Sequence, residues 1–508
     1  MALTLSLELR RIIPRWRDSA VALATGELHS LPTRKPPKVR GIDLYGDKRD
    51  NWIAERSLEA AAELVSSALS QGRFEDAVAA AEFILEQPAA AKPTVVAIAK
   101  DVLQRADTAH GFGFASPPPE LADRMALRAR IHSLRMLLND EPRNALMFAD
   151  LSRTYIRLGQ VDSSAKAIGQ ALRLAPDNRF ILRAASRLFV HLHEPDRAHS
   201  LLMTSPTTRR DPWLLAAEIA IATVEGKSPL LARAARDALA TNAYPPRHLS
   251  ELASAVATIE LGAGASRKAR KLFERSLDSP TDNALAQAAW ALRWLPNLHV
   301  EEALNVTPRA YEARTLHFYE TLEWRAAVSA ADSWLDDEAF SSRPAEIGSY
   351  VAAVGLEDYL LAERFARRGL VANPNDSILL NNLAFALASR GNPQEAWVVL
   401  RKVPRPDRDA GVEAALLATE GLIDFRMGDS EKGSLHYLAA IKNATEAKLD
   451  RVRALAGVYF ARELIGSGRV GATEALGIAE EASRNLTSPD VRWLLDSLRA
   501  KVNRPPRI

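Results

Sequence analysis

The stretch Ala145–Asn178 reads ALMFADLSRTYIRLGQVDSSAKAIGQALRLAPDN. It consists of two apolar-striped segments of helical period, and Gly159 lies between them where a turn is needed. Directly behind it, Arg179–Pro212 keeps a 34-residue step: Phe189 stands where Tyr155 did, His193 where Gly159 did and Ala198 where Ser164 did. A pair of helices joined this way leaves one apolar face bare. Copies must stack to bury it, so the period implies a helical solenoid.

The unit resembles one complete tetratricopeptide repeat. Leu151, Tyr155, Gly159, Ala171 and Pro176 fall where that family places its leucine, tyrosine, turn glycine, second-helix alanine and terminal proline, while Ser152 and Ser164 replace the small residues usual at the helix crossings. Residues 377–402 repeat the likeness, with Leu383, Ala396 and Leu400 in family positions. Turns are expected at Gly72, near 113, at Gly159, His193, Gly226, Gly264 and Asn297, and near 323, 357, 391, 428 and 467. Their mean step is about 36 residues, against ~34 for this repeat class. The fold expected is all-α, a right-handed α-α superhelix of about twelve helical hairpins behind an irregular N-terminal segment.

The chain divides accordingly into an arm and linker over 1–51, a solenoid over 52–282, irregular hairpins over 283–343, and a second solenoid over 344–508 with a capping helix from Pro489 to Val502. In residues 1–28 three readings compete. Leu3, Leu5, Leu7 and Leu9 alternate with polar residues as in a strand, Leu5, Leu9, Ile12, Ile13 and Trp16 share one helical face, and the segment also reads as disordered. A strand here would have to add to a partner's sheet. Residues 29–51 are rich in proline, glycine and the basic residues Arg34, Lys35, Lys38 and Arg40, which reads as a solvated connector. TAHGFGFASPPP (108–119) reads as a long insertion between helices.

Composition removes several function classes. The 508 residues contain no cysteine, so disulfides, cysteine nucleophiles, thiolate metal sites and iron–sulfur ligation are excluded. Sixty-six basic residues nearly balance 63 acidic ones, giving a net charge of +3, so bulk attraction to nucleic acid is not supported. No secretory signal and no apolar run of ~18 residues stands in the sequence, and a cytoplasmic location is expected.

No catalytic motif survives inspection, and no cofactor is implied. Gly466, Gly468 and Gly471 spell G-x-G-x-x-G, but a helix-forming segment precedes them where a dinucleotide site needs a strand. His191, His193, Glu194 and His199 straddle a hairpin turn without regular metal-ligand spacing.

The resemblance implies that the first helix of each repeat lines a concave groove. Carried onto this chain, the groove positions are Arg153 and Arg157, then Arg183, Arg187 and His191 in the next repeat, with Trp294 further on. Four guanidiniums on two adjacent helices suit carboxylates or phosphates, so a protein partner offering an acidic segment is one expectation. The alternative is that these arginines pair with acids on neighbouring repeats. Trp294 reads as a peptide anchor or as core. The family's lysine–asparagine peptide clamp is echoed only by Asn381 and Asn382.

A non-enzymatic scaffold or adaptor is the function expected, with residues 1–50 as a second attachment arm and self-association or a larger complex as its setting. A nucleic-acid-contacting repeat protein using the linker and groove arginines, and an enzyme with an unrecognised site, are the alternatives.

Overall fold

The computed structural model describes the chain apart from residues 4–9, 25–26, 29–43, 72–73, 94, 97, 101, 104–118, 242, 405–408, 469, 485, 487 and 503–508. The basic cluster at 34–40, the turn at Gly72 and nearly all of the 108–119 insertion therefore lie outside the described residues. These form two compact units, one of Asp18–Asp123 and one of Met1–Arg17 with Arg124–Ile508.

In the smaller unit, helices Ser19–Ala24, Leu44–Ala54, Leu58–Gln71 and Phe74–Glu86 enclose a core of Leu64, Val65, Ile84 and Val102. Leu44–Ala54 begins within the stretch read as a connector, 29–51, and runs past its end. It is helical because Trp52 has somewhere to go: its ring meets Phe83 edge to face at 5.0 Å.

The larger unit is a run of helical hairpins, and no strand occurs among the described residues. Helix Pro119–Asp140 leads into Ala145–Arg157 with Val161–Leu174, then Arg179–His191 with Pro195–Thr204 and Pro212–Val224 with Ala232–Ala240. Pro246–Gly262 with Ser266–Ser276, Asp282–Ala291 with Glu301–Val306, and Tyr311–Glu320 with Trp324–Asp337 form the middle. Ser342–Gly355 with Tyr359–Ala372, Ser377–Ser389 with Pro393–Leu400, Ala410–Met427 with Ser430–Glu446, and Asp450–Gly466 with Ala472–Ser483 complete it.

Local chemistry sets these boundaries. Asn144 and Asn178, 34 residues apart, cap their helices by accepting from the amides of Met147 and Ile181, and Asp376 does the same for Leu379. Each regular hairpin turn passes through a left-handed residue: Gly159 at φ +71°, His193 at +58°, Gly226 at +67°, Gly264 at +79°, Leu322 at +63°, Glu357 at +50°, Gly391 at +88° and Gly428 at +90°. The expected turn at Asn297 has no such residue, and its second helix, Glu301–Val306, is only six residues long. Gly468 and Gly471, also left-handed, sit in a turn between two helices and not after a strand.

Packing follows from small residues at the crossings. Ser152 donates to the Ser164 carbonyl at 2.8 Å, so both hydroxyls are buried without loss. Gly421 and Gly433 bring their helices so close that a Cβ on either would stand 2.9 Å from the other's carbonyl oxygen. The helix Pro489–Val502 closes the stack, where fully buried Asp490 accepts from Tyr350 and, at 2.8 Å, from Arg451.

Of residues 1–28, Met1–Leu3 and Arg10–Asp18 have no regular secondary structure and Ser19–Ala24 is a helix, while Leu5, Leu7 and Leu9, on which the periodic readings rest, lie outside the described residues. Yet Met1, Ala2 and Leu3 belong to the same core as Leu383, Leu416 and Tyr459, and Ile12 packs with Leu215 and Leu252.

A candidate binding groove filled by the chain's own arm

The first helix of most hairpins is buried on nearly every face, while the second is exposed on one side. What buries the inner faces includes the N-terminal segment. Its described residues, Met1–Leu3 and Arg10–Arg17, lie against these faces, held first by their backbone. The amino nitrogen of Met1 donates to Thr419 Oγ1 at 2.5 Å and to the Ala415 carbonyl at 3.3 Å. Asn381 Nδ2 donates to the Met1 carbonyl at 2.7 Å. Asn382 takes both polar groups of Leu3, accepting from its amide at 2.8 Å and donating to its carbonyl at 2.9 Å. Further along, Gln287 Nε2 donates to the Arg10 carbonyl, Asn283 Nδ2 to the Ile13 carbonyl and Arg153 Nε to the Trp16 carbonyl, at 3.2, 3.0 and 2.9 Å.

Three arginines of the arm then meet carboxylates of the groove. Arg10 forks onto Glu312 through Nε and Nη2 at 2.9 and 2.8 Å, and reaches Gln287 and Asn283 as well. Arg15 binds Glu312, Glu338 and Asp282, and Arg17 binds Asp282 and Asp337, both at 2.7 Å. All of these side chains are buried, so the pairing must be near complete to offset their desolvation. The electrostatics agree. Burial pushes the Asp337 carboxyl up, but Arg17, Arg309 and Arg15 outweigh it and hold the group at about 2. Glu312 is likewise raised by burial and drawn well below the carboxylate range by Arg10, Arg343 and Arg15. Trp16, fully buried, seats its ring edge to face on Phe340 at 5.6 Å.

The arginines singled out by the repeat register have separate fates. Arg153 does face the groove, where it holds the Trp16 carbonyl and the Asp337 carbonyl at 2.8 Å. Arg157 is half-buried in the last turn of the same helix. Arg183 forks onto Glu251 at 2.9 and 3.2 Å and lies over the Trp213 ring, tying neighbouring hairpins together. Arg187 lies 4.7 Å over the ring of Phe340, beside His191, which meets the same ring at 5.7 Å. The four are thus not one basic patch, and the dominant charge facing the arm is acidic. His199 is 3.2 Å from Glu218, away from His191.

Trp294 is 48% exposed and Trp290 beneath it 7%, with ring centroids 4.5 Å apart. Together with Arg11, Thr223, Thr258 and Ile259 they line an open cleft of about 940 Å³. The register pointed to Trp294 and Arg153 but missed most of the residues that hold the arm; of the others, only Asn381 and Asn382 carried a sequence signal.

No protein-family model matches the chain, and no curated protein matches it in sequence. Several solved structures are similar to the chain at low identity. One is the APC/C hetero-tetramer Cut9–Hcn1, at a TM-score of 0.35 and 13% identity over 89% of this chain and 92% of that one. Another is yeast Tom70, at 0.33 and 11% over 88% and 96%. A third is a tetratricopeptide repeat protein from Parabacteroides merdae ATCC 43184, at 0.27 and 17% over 54% and 97%. The chain's own helices make it an all-α solenoid of stacked hairpins. No helix among the described residues is long and apolar enough to cross a membrane.

Proposed function

We propose that this protein is a non-enzymatic scaffold whose groove takes an extended protein segment, and that its own N-terminal arm occupies the groove as such a segment. The observation that carries this is the double hydrogen bond between Asn382 and the backbone of Leu3, with Asn381 on the Met1 carbonyl beside it. Side-chain amides that satisfy a peptide backbone read extended chain irrespective of its sequence. Specificity then comes from the carboxylates. Asp282, Glu312, Asp337 and Glu338 favour a segment with spaced arginines over the acidic segment that the groove arginines alone suggest. Arg153 serves as a backbone clamp, Arg157 and Arg183 frame the inner face, Arg187 has the separate role argued below, and Trp294 anchors a partner outside the occupied groove.

The test uses a labelled synthetic peptide of residues 1–18 with the full chain and with a chain starting at Asp18. Saturable binding to the shortened chain, weak binding to the full chain, and loss on Arg10→Glu in the peptide support the reading. A folded shortened chain that ignores the peptide overturns it. In a parallel pull-down from native cells, nucleic acid released at high salt would favour the nucleic-acid reading instead.

A further inference from the structure

A cavity of about 240 Å³ lies between the arm and the helices that carry Arg187 and Arg343. Its wall brings together the guanidiniums of Arg10, Arg15, Arg187 and Arg343 with the carboxyls of Glu312, Glu338 and Asp376. The carboxyl oxygens are already engaged. Glu312 accepts from Arg10 twice, from Arg15 and from Arg343, and Glu338 accepts from Arg15 and from the Trp334 indole at 2.7 Å. Asp376 caps its helix by accepting from the Leu379 amide, and burial pushes its carboxyl up to about 6, so its negative charge is present at neutral pH and fades below about 6.

Arg187 has a different standing. Among the described residues it makes no hydrogen bond or ion pair; its half-buried guanidinium lies 4.7 Å over the face of Phe340, and the carboxylates that support its charge, Glu338 and Glu312, are already taken by Arg10, Arg15 and Arg343. Burial works against its charge, as it does for His191 alongside, which is held at about 3 by burial and by Arg187 itself. A guanidinium whose donors no protein group takes up is open to an oxyanion, whose geometry its planar fork matches. His191 and His193 lie in the same wall and add ring nitrogens able to donate.

We infer that this cavity is a binding site for a small tetrahedral oxyanion, phosphate or a small phosphomonoester, with Arg187 as its principal ligand. At ~30 Å³ per water the space corresponds to roughly eight waters, enough for a phosphate group and a few attached atoms but below the ~300 Å³ where drug-sized pockets begin. Because Arg10 and Arg15 belong to the arm, an anion bound here also ties the arm to the groove, and the two equilibria are linked. This site does not depend on the scaffold reading.

The experiment is calorimetry and thermal unfolding of the full chain with inorganic phosphate, glycerol phosphate, malonate or chloride at matched ionic strength. About one phosphate per chain and a rise of several degrees in Tm are expected. Arg187→Met should bind at least about tenfold more weakly and lose the phosphate-dependent rise in Tm. Equal binding of glycerol phosphate identifies a monoester as the source, and weaker binding identifies free phosphate. No phosphate response in the parent, an undiminished response in Arg187→Met, or a preference for malonate overturns the assignment. If Arg187→Met fails to fold, Arg187→Lys decides, with weaker phosphate binding expected and unchanged binding contradicting the site.

Discussion

Asn382 satisfies the whole peptide polarity of Leu3, its Oδ1 accepting from the Leu3 amide at 2.8 Å and its Nδ2 donating to the Leu3 carbonyl at 2.9 Å, across 379 residues of sequence. Its Nδ2 also donates to Ser349 Oγ at 3.0 Å, so the amide cannot flip without breaking this set. The relationship fixes the register of the arm in the groove.

Replacing Asn382 by Leu therefore leaves a buried amide and carbonyl of the arm without partners, a cost of about 1–3 kcal/mol for each group. The arm is expected to release before the solenoid unfolds. Hydrogen exchange at the backbone of residues 1–17 should accelerate while the hairpins from Ser430 onward keep their protection. Unchanged exchange in the arm would contradict the clamp.

Glu312 is the hub of the charged cluster, shared by Arg10, Arg15 and Arg343. Glu312→Gln keeps the volume and removes the charge, leaving buried guanidiniums short of a counter-ion. A loss of about 3–5 kcal/mol is expected in urea denaturation. A loss below about 1 kcal/mol would mean that the arm arginines are solvated.

Acid should loosen the arm, and the signs can be assigned group by group. Asp337, at about 2 against its ordinary 3.8, contributes stability that is fully present above about 3.8 and lost as pH falls towards 2. His191, at about 3 against 6.5, refuses in the fold a proton that the unfolded chain accepts, so stability already declines as pH falls from 6.5. Asp376 acts oppositely, its contribution being present below 3.8 and lost as pH rises through about 6. The urea midpoint measured from pH 7 to pH 3 should fall overall. His191→Phe should flatten the upper part of the curve and Asp337→Asn the lower part.

The two stacked tryptophans separate packing from binding. Trp290→Ala should cost about 3–5 kcal/mol as a buried large-to-small change, and Trp294→Ala less than about 1 kcal/mol. A cross-linked or co-purified partner that is lost with Trp294→Ala at unchanged Tm would mark the cleft as its anchor.

Gly421 gives a stringent check on the repeat packing. An added Cβ would stand 2.7 Å from the Tyr437 ring and 2.9 Å from the Gly433 carbonyl, and the backbone atom cannot yield cheaply. Gly421→Ala should destabilise by about 1–3 kcal/mol through overpacking. A neutral or raised denaturation midpoint would place these helices further apart.

The hairpins were legible in the sequence because their causes are local. Asn144 and Asn178 cap within three residues, Gly159 and Gly391 supply left-handed turns, and the apolar stripes recur every 34 residues or so. The groove face of the first helices was legible too, through Arg153 and, faintly, through Asn381 and Asn382. Helical caps, turns and stripes are decided between near neighbours, and so the amino-acid order alone determined an all-α repeat fold. The fate of Met1–Leu3 and Arg10–Arg17 was decided only by the tertiary structure. These residues have no regular secondary structure, so their partners lie far along the chain, where no local period can point to them. Arg10 finds Glu312 across 302 positions and Met1 finds Thr419 across 418. The same assembly pairs Arg183 with Glu251 and leaves Arg187 facing a cavity, because which charge meets which is set by how successive hairpins stack.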